Sequence, residues 1–140
     1  MSQTERLLAT TGRVLLSLIF VGAGLSKIGE WSNTAAMMAA KGLPAVPVLL
    51  ALTIALEVGG GLAVLSGVGA RSSALALALF LVPATLTFHD FWRYQGAEHQ
   101  MQQVNFMKNL AMLGAALFLL YFGAGPLSLD ARRMRAAPQS

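Results

Sequence analysis

Long apolar stretches separated by short polar connections dominate this chain. Four of them are long enough to cross the roughly 30 Å hydrocarbon core of a bilayer as helices, which takes about 20 residues. They are residues 7–26, 43–70, 72–89 and 109–129, and they hold only two Asp, Glu, Lys or Arg side chains, Arg13 and Glu57. The pattern predicts membrane-spanning helices over about 7–27, 46–67, 71–89 and 106–125, within one integral membrane domain of residues 1–140.

The connection between the first two spans has a helical pattern of its own. Ser32 and Asn33 are residue types that cap helix N-termini, and residues 34–41 are rich in Ala and Met, which sustain a helix. Gly42 and Pro44 then end it. The predicted fold class is therefore all-α, a four-helix transmembrane bundle with a short interfacial helix between spans 1 and 2.

The composition supports a membrane protein. Hydrophobic residues make up 56% of the chain and charged residues only 11%, whereas a soluble domain has about a quarter of its residues charged. The mean hydropathy of +0.63 agrees. There is no cysteine, which removes disulfides, thiolate nucleophiles and Fe–S ligation. The two histidines, His89 and His99, have no acidic cluster beside them, so we predict no metal site.

The net charge of +4 predicts an orientation in the membrane. Lys and Arg concentrate on the cytoplasmic side of membrane proteins. With four spans, both termini lie on one side together with the connection between spans 2 and 3. That side carries Arg6, Arg13, Arg71, Arg132, Arg133 and Arg135, and the other carries Lys27, Lys41, Arg93 and Lys108. The excess predicts cytoplasmic termini, and it accounts for the basic charge without a nucleic-acid partner.

Glu57 is the most conspicuous polar residue inside the spans. A charge at the middle of a bilayer costs about 2.5 to 3.5 kcal/mol on insertion scales, so it needs a partner or a function. Arg13 and Lys27 are both candidate partners, and a protonated, neutral Glu57 is a third interpretation. The sequence leaves open whether the group is a buried ion pair that fixes helix register or a proton or ligand site.

Several polar residues are predicted at the same end of the bundle as Lys27. His89 ends the third span, and Asn105, Lys108 and Asn109 open the fourth at the same level. Such a group suits a carbonyl-bearing lipid-soluble molecule or an anion; the alternative is lysines that reach the interface and a solvated histidine. The candidate intramembrane polar site comprises Arg13, Lys27, Glu57, His89, Lys108 and Asn109, and the sequence assigns none of them a catalytic role.

Five short motifs resemble the DoxX family of small, four-span bacterial inner-membrane proteins. They are residues 13–27 ending in Gly-Leu-Ser-Lys, Glu57 with the glycines after it, residues 67–71, residues 106–110 and residues 123–130. The resemblance extends from about Arg13 to Asp130. It implies a four-helix bundle in the bacterial inner (plasma) membrane. The residues that fit the family pattern are Arg13, Lys27, Glu57, Arg71, Lys108 and Asn109.

The resemblance also implies a class of function. The family takes its name from a subunit of an archaeal thiosulfate:quinone oxidoreductase, and some bacterial members are linked to oxidoreductase assemblies that handle oxidative and thiol stress. It therefore implies a membrane subunit with a quinone as cofactor and oxidoreductase proteins as partners, and leaves open whether the chain itself is an enzyme. The alternative function is a non-enzymatic assembly partner or small-solute permease. A homo-oligomer through small-residue faces stays open as well.

Overall fold

The structure is a computed structural model that describes residues 2–136. Within these residues the chain forms α-helices joined by short connections, with one 3-10 turn and no strand. The helices are α1 (Gln3–Gly29), α2 (Trp31–Ala40), α3 (Val46–Ser66), α4 (Ala70–Phe88), α5 (Gly96–Phe122) and α6 (Leu129–Ala136), and the 3-10 turn is Phe91–Arg93. The helices α1, α3, α4 and α5 are long and apolar enough to cross a membrane. The predicted all-α, four-helix transmembrane bundle is confirmed.

Local chemistry accounts for several helix ends. At the start of α1 the Ser2 hydroxyl accepts a hydrogen bond from the Glu5 amide, and the Glu5 carboxylate accepts one from the Ser2 amide. This reciprocal pair satisfies two of the amide donors that a helix N-terminus leaves free. Helix α3 has Pro47 in its first turn, where the missing donor is harmless. It ends at Gly67, whose φ of 74° is a conformation that glycine adopts without strain.

Glycines bring α1 and α3 close together. A Cβ atom placed on Gly24 of α1 would lie 2.6 Å from Cγ2 of Val58, and one on Gly61 of α3 would lie 2.7 Å from Cγ2 of Val21. Neither position has room for a larger residue. Small residues allow this kind of backbone approach in membrane bundles, where packing rather than the hydrophobic effect holds helices together.

The four long helices are arranged as a row that curves back on itself. Helix α1 packs on α3, α3 on α4, and α4 on α5. Helices α1 and α5 form the two ends of the row and touch over only a short stretch. A core of Leu16, Phe20, Val64, Leu77 and Leu81 joins the first three helices of the row. The gap between α1 and α5 is where the candidate site lies.

The starts of α5 and α2 are the helix boundaries whose differences from the predicted ones affect the site. Helix α5 begins at Gly96, ten residues before the predicted start of the fourth span, and ends at Phe122. Residues 97–103 are mostly Ala, Glu, Gln and Met, which favour helix, but their polarity hid them from a hydropathy pattern. Helix α2 begins at Trp31 after Glu30, so Ser32 and Asn33 lie inside the helix rather than at its cap.

Candidate functional site: a cavity between α1 and α5

A cavity of about 990 Å³ lies between α1 and α5, with α3 and α4 behind it and α2 beside its polar end. This is at the upper end of the volumes usual for small-molecule sites. Most of the lining is apolar and comes mainly from α1 and α4. The polar lining residues gather near α2; they are Lys27, Thr34, Thr53, Glu57, His89, Gln102, Asn105, Lys108 and Asn109.

Lys27 and Glu57 form an ion pair on the wall of this cavity. Nζ of Lys27 donates a hydrogen bond to Oε1 of Glu57 at 2.9 Å, and it lies 2.9 Å from Oε2 as well. The Glu57 side chain is 6% exposed and the Lys27 side chain 27%. Gly24, one helical turn before Lys27, lies against the Cβ of Glu57. The close approach of α1 and α3 therefore brings the two side chains together.

One oxygen of the Glu57 carboxylate accepts no hydrogen bond within the described residues and has only the charge of Lys27 beside it. Oε2 is buried, and within residues 2–136 no donor meets it with hydrogen-bond geometry, although the Lys27 charge is close. Buried polar atoms usually have a hydrogen-bond partner, because leaving one without costs free energy. Since Glu57 lines the cavity, a rotation of its carboxylate would present an acceptor to a hydroxyl group of a ligand.

Arg13 is not part of this group, so its predicted place in the candidate site, and its candidacy as the partner of Glu57, are wrong. It is buried, and its guanidinium donates hydrogen bonds to the backbone carbonyls of Ala124 and, at 3.2 Å, Leu127. It also lies against Gly67 and is about 21 Å from Lys27 along α1, toward the N-terminal half of that helix. The carbonyls that follow the end of α5 lack helical partners, and a buried guanidinium satisfies them well.

The remaining predicted residues line the cavity, and two of them have hydrogen-bond partners that the sequence did not indicate. His89 Nδ1 lies 2.8 Å from Oε1 of Gln102, and Asn109 Nδ2 donates to Oγ1 of Thr85 at 3.0 Å. Among residues 2–136, no group forms an ion pair or hydrogen bond with the Lys108 ammonium. It is the cavity's available cation.

Gln102 and Asn105 were not among the predicted site residues. They precede Asn109 by seven and four residues, so all three lie on one face of α5. This spacing was visible in the sequence, but it carries information only if the helix extends upstream of residue 106. The early start of α5 is therefore what adds them to the site.

A second ion pair ties α2 to the segment before α5. Nζ of Lys41 lies 2.7 Å from Oδ1 of Asp90 and 3.3 Å from the Tyr94 hydroxyl, and the Asp90 residue is buried. The hydrogen bond from Lys41 to Asp90 raises the pKa of Lys41 above its ordinary value. Because Thr34, Met37 and Met38 of α2 line the cavity, this pair holds α2 against the polar end of the cavity.

Comparison with known proteins fits this architecture. The model of the DoxX family matches residues 8–90, more than half of the chain, including α2, α3, α4 and both members of the Lys27–Glu57 pair. The chain belongs to the DoxX family. The resemblance of its sequence motifs is confirmed.

Curated relatives of this DoxX-family chain are similar over most of its length. Inner membrane protein YqjF of Escherichia coli (strain K12) is 36% identical over 130 residues, 93% of this chain and 95% of that protein. Inner membrane protein YphA of the same strain is 30% identical over 121 residues, 86% of each chain. ER-derived vesicles protein ERV29 of Saccharomyces cerevisiae is 24% identical over 87% of this chain but 32% of the yeast protein. No solved structure matches at a significant level.

The matches and the fold agree on the class of protein. Two relatives that align over nearly their whole lengths are inner membrane proteins, and four helices of this chain can cross a membrane. The chain is an integral, multi-pass inner membrane protein of the DoxX family.

Proposed function

We propose that the cavity binds the head group of a quinone, and that the protein serves quinone-linked redox chemistry as the membrane subunit of an oxidoreductase assembly. One observation carries the proposal. A buried carboxylate in the middle of α3, paired with a lysine, lies on the wall of an otherwise largely apolar cavity. Ionisable groups at this depth are costly and mark functional sites in membrane proteins.

The polar groups of the cavity fit both oxidation states of a quinone ring. Lys27 and Lys108 present ammonium donors, which suit the carbonyl oxygens of the oxidised form. The Glu57 carboxylate on the cavity wall is an acceptor, which suits a hydroxyl of the reduced form. When bound, a quinone supplies the capacity to carry two electrons and two protons. The contribution of this chain is to bind and orient the ring and to hold a hydrogen-bonded proton at Glu57.

The apolar part of the cavity favours a lipid-soluble ligand over a small polar solute. Beyond Glu57, toward Arg13, the α1 side of the cavity is lined by Gly12, Leu15, Leu16, Ile19, Phe20 and Ala23. A hydrated solute would have to lose its water there without replacement hydrogen bonds, which costs several kcal/mol per polar group. The permease interpretation therefore has less support than a binding site for a membrane-soluble compound.

Quinone retained by purified protein tests this proposal. The protein is purified in mild detergent from quinone-containing membranes, and bound quinone per chain is measured by extraction and mass spectrometry. Glu57→Gln and Lys27→Met should each reduce it about tenfold, which corresponds to about 1.4 kcal/mol of binding free energy. The matched control is Glu98→Gln, on a carboxylate in the first turn of α5 that does not line the cavity.

Two results would contradict the proposal. One is wild-type protein that retains no quinone and binds none when it is added back. The other is Glu57→Gln protein that retains as much as the wild type. The role in an oxidoreductase assembly has its own readout: quinone reduction by membranes that contain Glu57→Gln should slow, at an unchanged amount of the protein.

A further inference from the structure

We propose that the ligand is a long-tailed amphiphile whose tail lies lengthwise between α1 and α5, and that it enters the cavity sideways from the bilayer. This inference rests on the proposed function for the head group. It adds the chemical class of the rest of the molecule, the route of entry and the residues that recognise the tail.

The length of the cavity exceeds what a ring alone requires. Its lining on α1 runs from Gly12 to Lys27, and on α5 from Gln102 to Ala115. At 1.5 Å per residue these stretches are about 22 Å and 20 Å long. The polar groups on α5 extend from Gln102 to Asn109, about 10 Å, whereas on α1 only Lys27 is charged. The apolar α1 stretch from Gly12 to Ala23 is about 16 Å long, about half of the roughly 30 Å hydrocarbon core, which matches an extended hydrocarbon tail.

The cavity is open along its side rather than only at its end. Its rims are exposed, with Leu15 at 58% and Ile19 at 51% on α1, and Ala111 and Ala115 on α5. Its back wall is closed by Phe20 and Leu81, at 2% and 3%. Since α1 and α5 are the two ends of the helix row, the opening faces the membrane interior. A lipid-soluble molecule can therefore enter without crossing water.

The covered polar end favours a compact head group. Thr34, Met37 and Met38 of α2 line the cavity there, and the Lys41–Asp90 pair fastens α2 to the segment before α5. A phospholipid head group, which stays in water, does not fit beneath this cover. A flat ring with two oxygens can lie between Lys27, Glu57 and Lys108 while its tail follows α1. The cavity thus suits a tailed quinone better than a structural lipid.

Gly12 allows a direct test of the tail. It lines the cavity at the end away from Lys27, and a Cβ placed on it meets nothing within 4 Å, so Gly12→Leu should fill the space where the tail ends. Gly22→Leu is the matched control, because Gly22 is in the same helix, has the same free space and does not line the cavity. Ala115→Leu repeats the test from the rim on α5.

The probes are a benzoquinone with a polyisoprenyl tail and the same ring with a methyl group in place of the tail. Binding is measured by native mass spectrometry or fluorescence quenching in detergent. Wild type and Gly22→Leu should bind the tailed compound at least about tenfold more tightly than the methyl compound. In Gly12→Leu and Ala115→Leu this preference should disappear, while affinity for the methyl compound stays within about twofold.

The possible results separate the inference from the function on which it rests. Equal preference for the tailed compound in Gly12→Leu, Ala115→Leu and wild type would overturn the tail site and leave the head-group site standing. Binding of either compound that is insensitive to Glu57→Gln would overturn the head-group site itself. A phospholipid that co-purifies at one per chain, and that the tailed quinone does not displace, would overturn the assignment of a quinone tail.

Discussion

Lys27 and Glu57 lie thirty residues apart in the sequence, and the sequence identified both without pairing them. Charge in an apolar stretch was enough to mark Glu57, but depth along a helix did not distinguish Lys27 from Arg13. Lys27 is the partner of Glu57 because Gly24, one turn before Lys27, lets α1 approach α3 at the turn that carries Glu57. Arg13 instead donates hydrogen bonds to backbone carbonyls in the segment that follows α5. This role depends on the position of that segment in the fold, and no sequence pattern predicts it.

The Lys27–Glu57 ion pair is expected to contribute separately to the stability of the fold and to quinone binding. Replacing both residues distinguishes the two contributions. Glu57→Leu alone leaves the partly buried Lys27 ammonium without its partner and should lower the free energy of unfolding by about 3 kcal/mol, the lower end of the range for breaking a buried pair, because Lys27 reaches the surface. Lys27→Met with Glu57→Leu removes both charges and should restore most of it. The measurement is reversible unfolding in detergent.

Quinone retention by the same double variant completes the comparison. Restored stability with lost quinone would assign the pair to ligand binding. Restored stability with quinone retained at the wild-type level would mean that the charges only fix the register of α1 against α3.

The helices show where a hydropathy pattern stops being informative. It located the four spans because lipid requires about 20 apolar residues in succession. It misplaced the start of α5 because the helix continues beyond the lipid into polar residues 96–105, and Gln102 was missed for that reason. Asn105 was placed at the right level but left out of the candidate site. The existence of α2 followed from composition, although its start did not, whereas the contact of Lys41 with Asp90 required the fold.

Helix α2 should be held in place mainly by Lys41. Lys41→Met removes its hydrogen bonds to Asp90 and Tyr94 and should raise amide hydrogen exchange in residues 31–40 at least about tenfold. Arg93→Met is the control, because Arg93 also contacts Asp90 but its side chain is 75% exposed, and exposed pairs contribute little. Equal exchange in Lys41→Met and wild type would mean that packing alone holds α2.

The Lys41–Asp90 pair makes the stability of α2 depend on pH, and the direction of that dependence follows from the pKa of Lys41. Its hydrogen bond to Asp90 raises the pKa of Lys41 in the folded protein. The stability contributed by the lysine is therefore fully present below the ordinary lysine pKa of about 10.4 and is lost as pH rises through the higher folded-state value. Amide hydrogen exchange in α2, corrected for the intrinsic pH dependence of the exchange rate, should be constant from neutral to mildly alkaline pH. It should rise only above that range.

The molecule as a whole has an arrangement that the sequence could not supply. The core-facing sides of α3 and α4 are hard to read from sequence, because helices that are apolar all round show no distinct face. The row α1, α3, α4, α5 and its open side therefore came only from the structure. The two ends of the bundle were better predicted, because an even number of spans brings both termini to one side. There the Asp130 carboxylate accepts a hydrogen bond from the amide of Gly69 in the α3–α4 turn.

We propose that this end of the bundle faces the cytoplasm, since six of the ten cations belong to it. The absence of cysteine from the chain makes the test direct, because a single introduced thiol is the one site of labelling. A membrane-impermeant maleimide should label Glu98→Cys in intact spheroplasts and Gln3→Cys only after the membrane is opened. The reverse pattern would invert the orientation.

An experimental structure of the protein crystallised from a lipid mesophase, without added ligand, tests the central claim most directly. The account predicts elongated density between α1 and α5, ending in a flat ring within hydrogen-bond distance of Lys27 and Glu57. Helices α1 and α5 packed together so that the cavity is closed, or a cavity whose polar end holds only water, would contradict it.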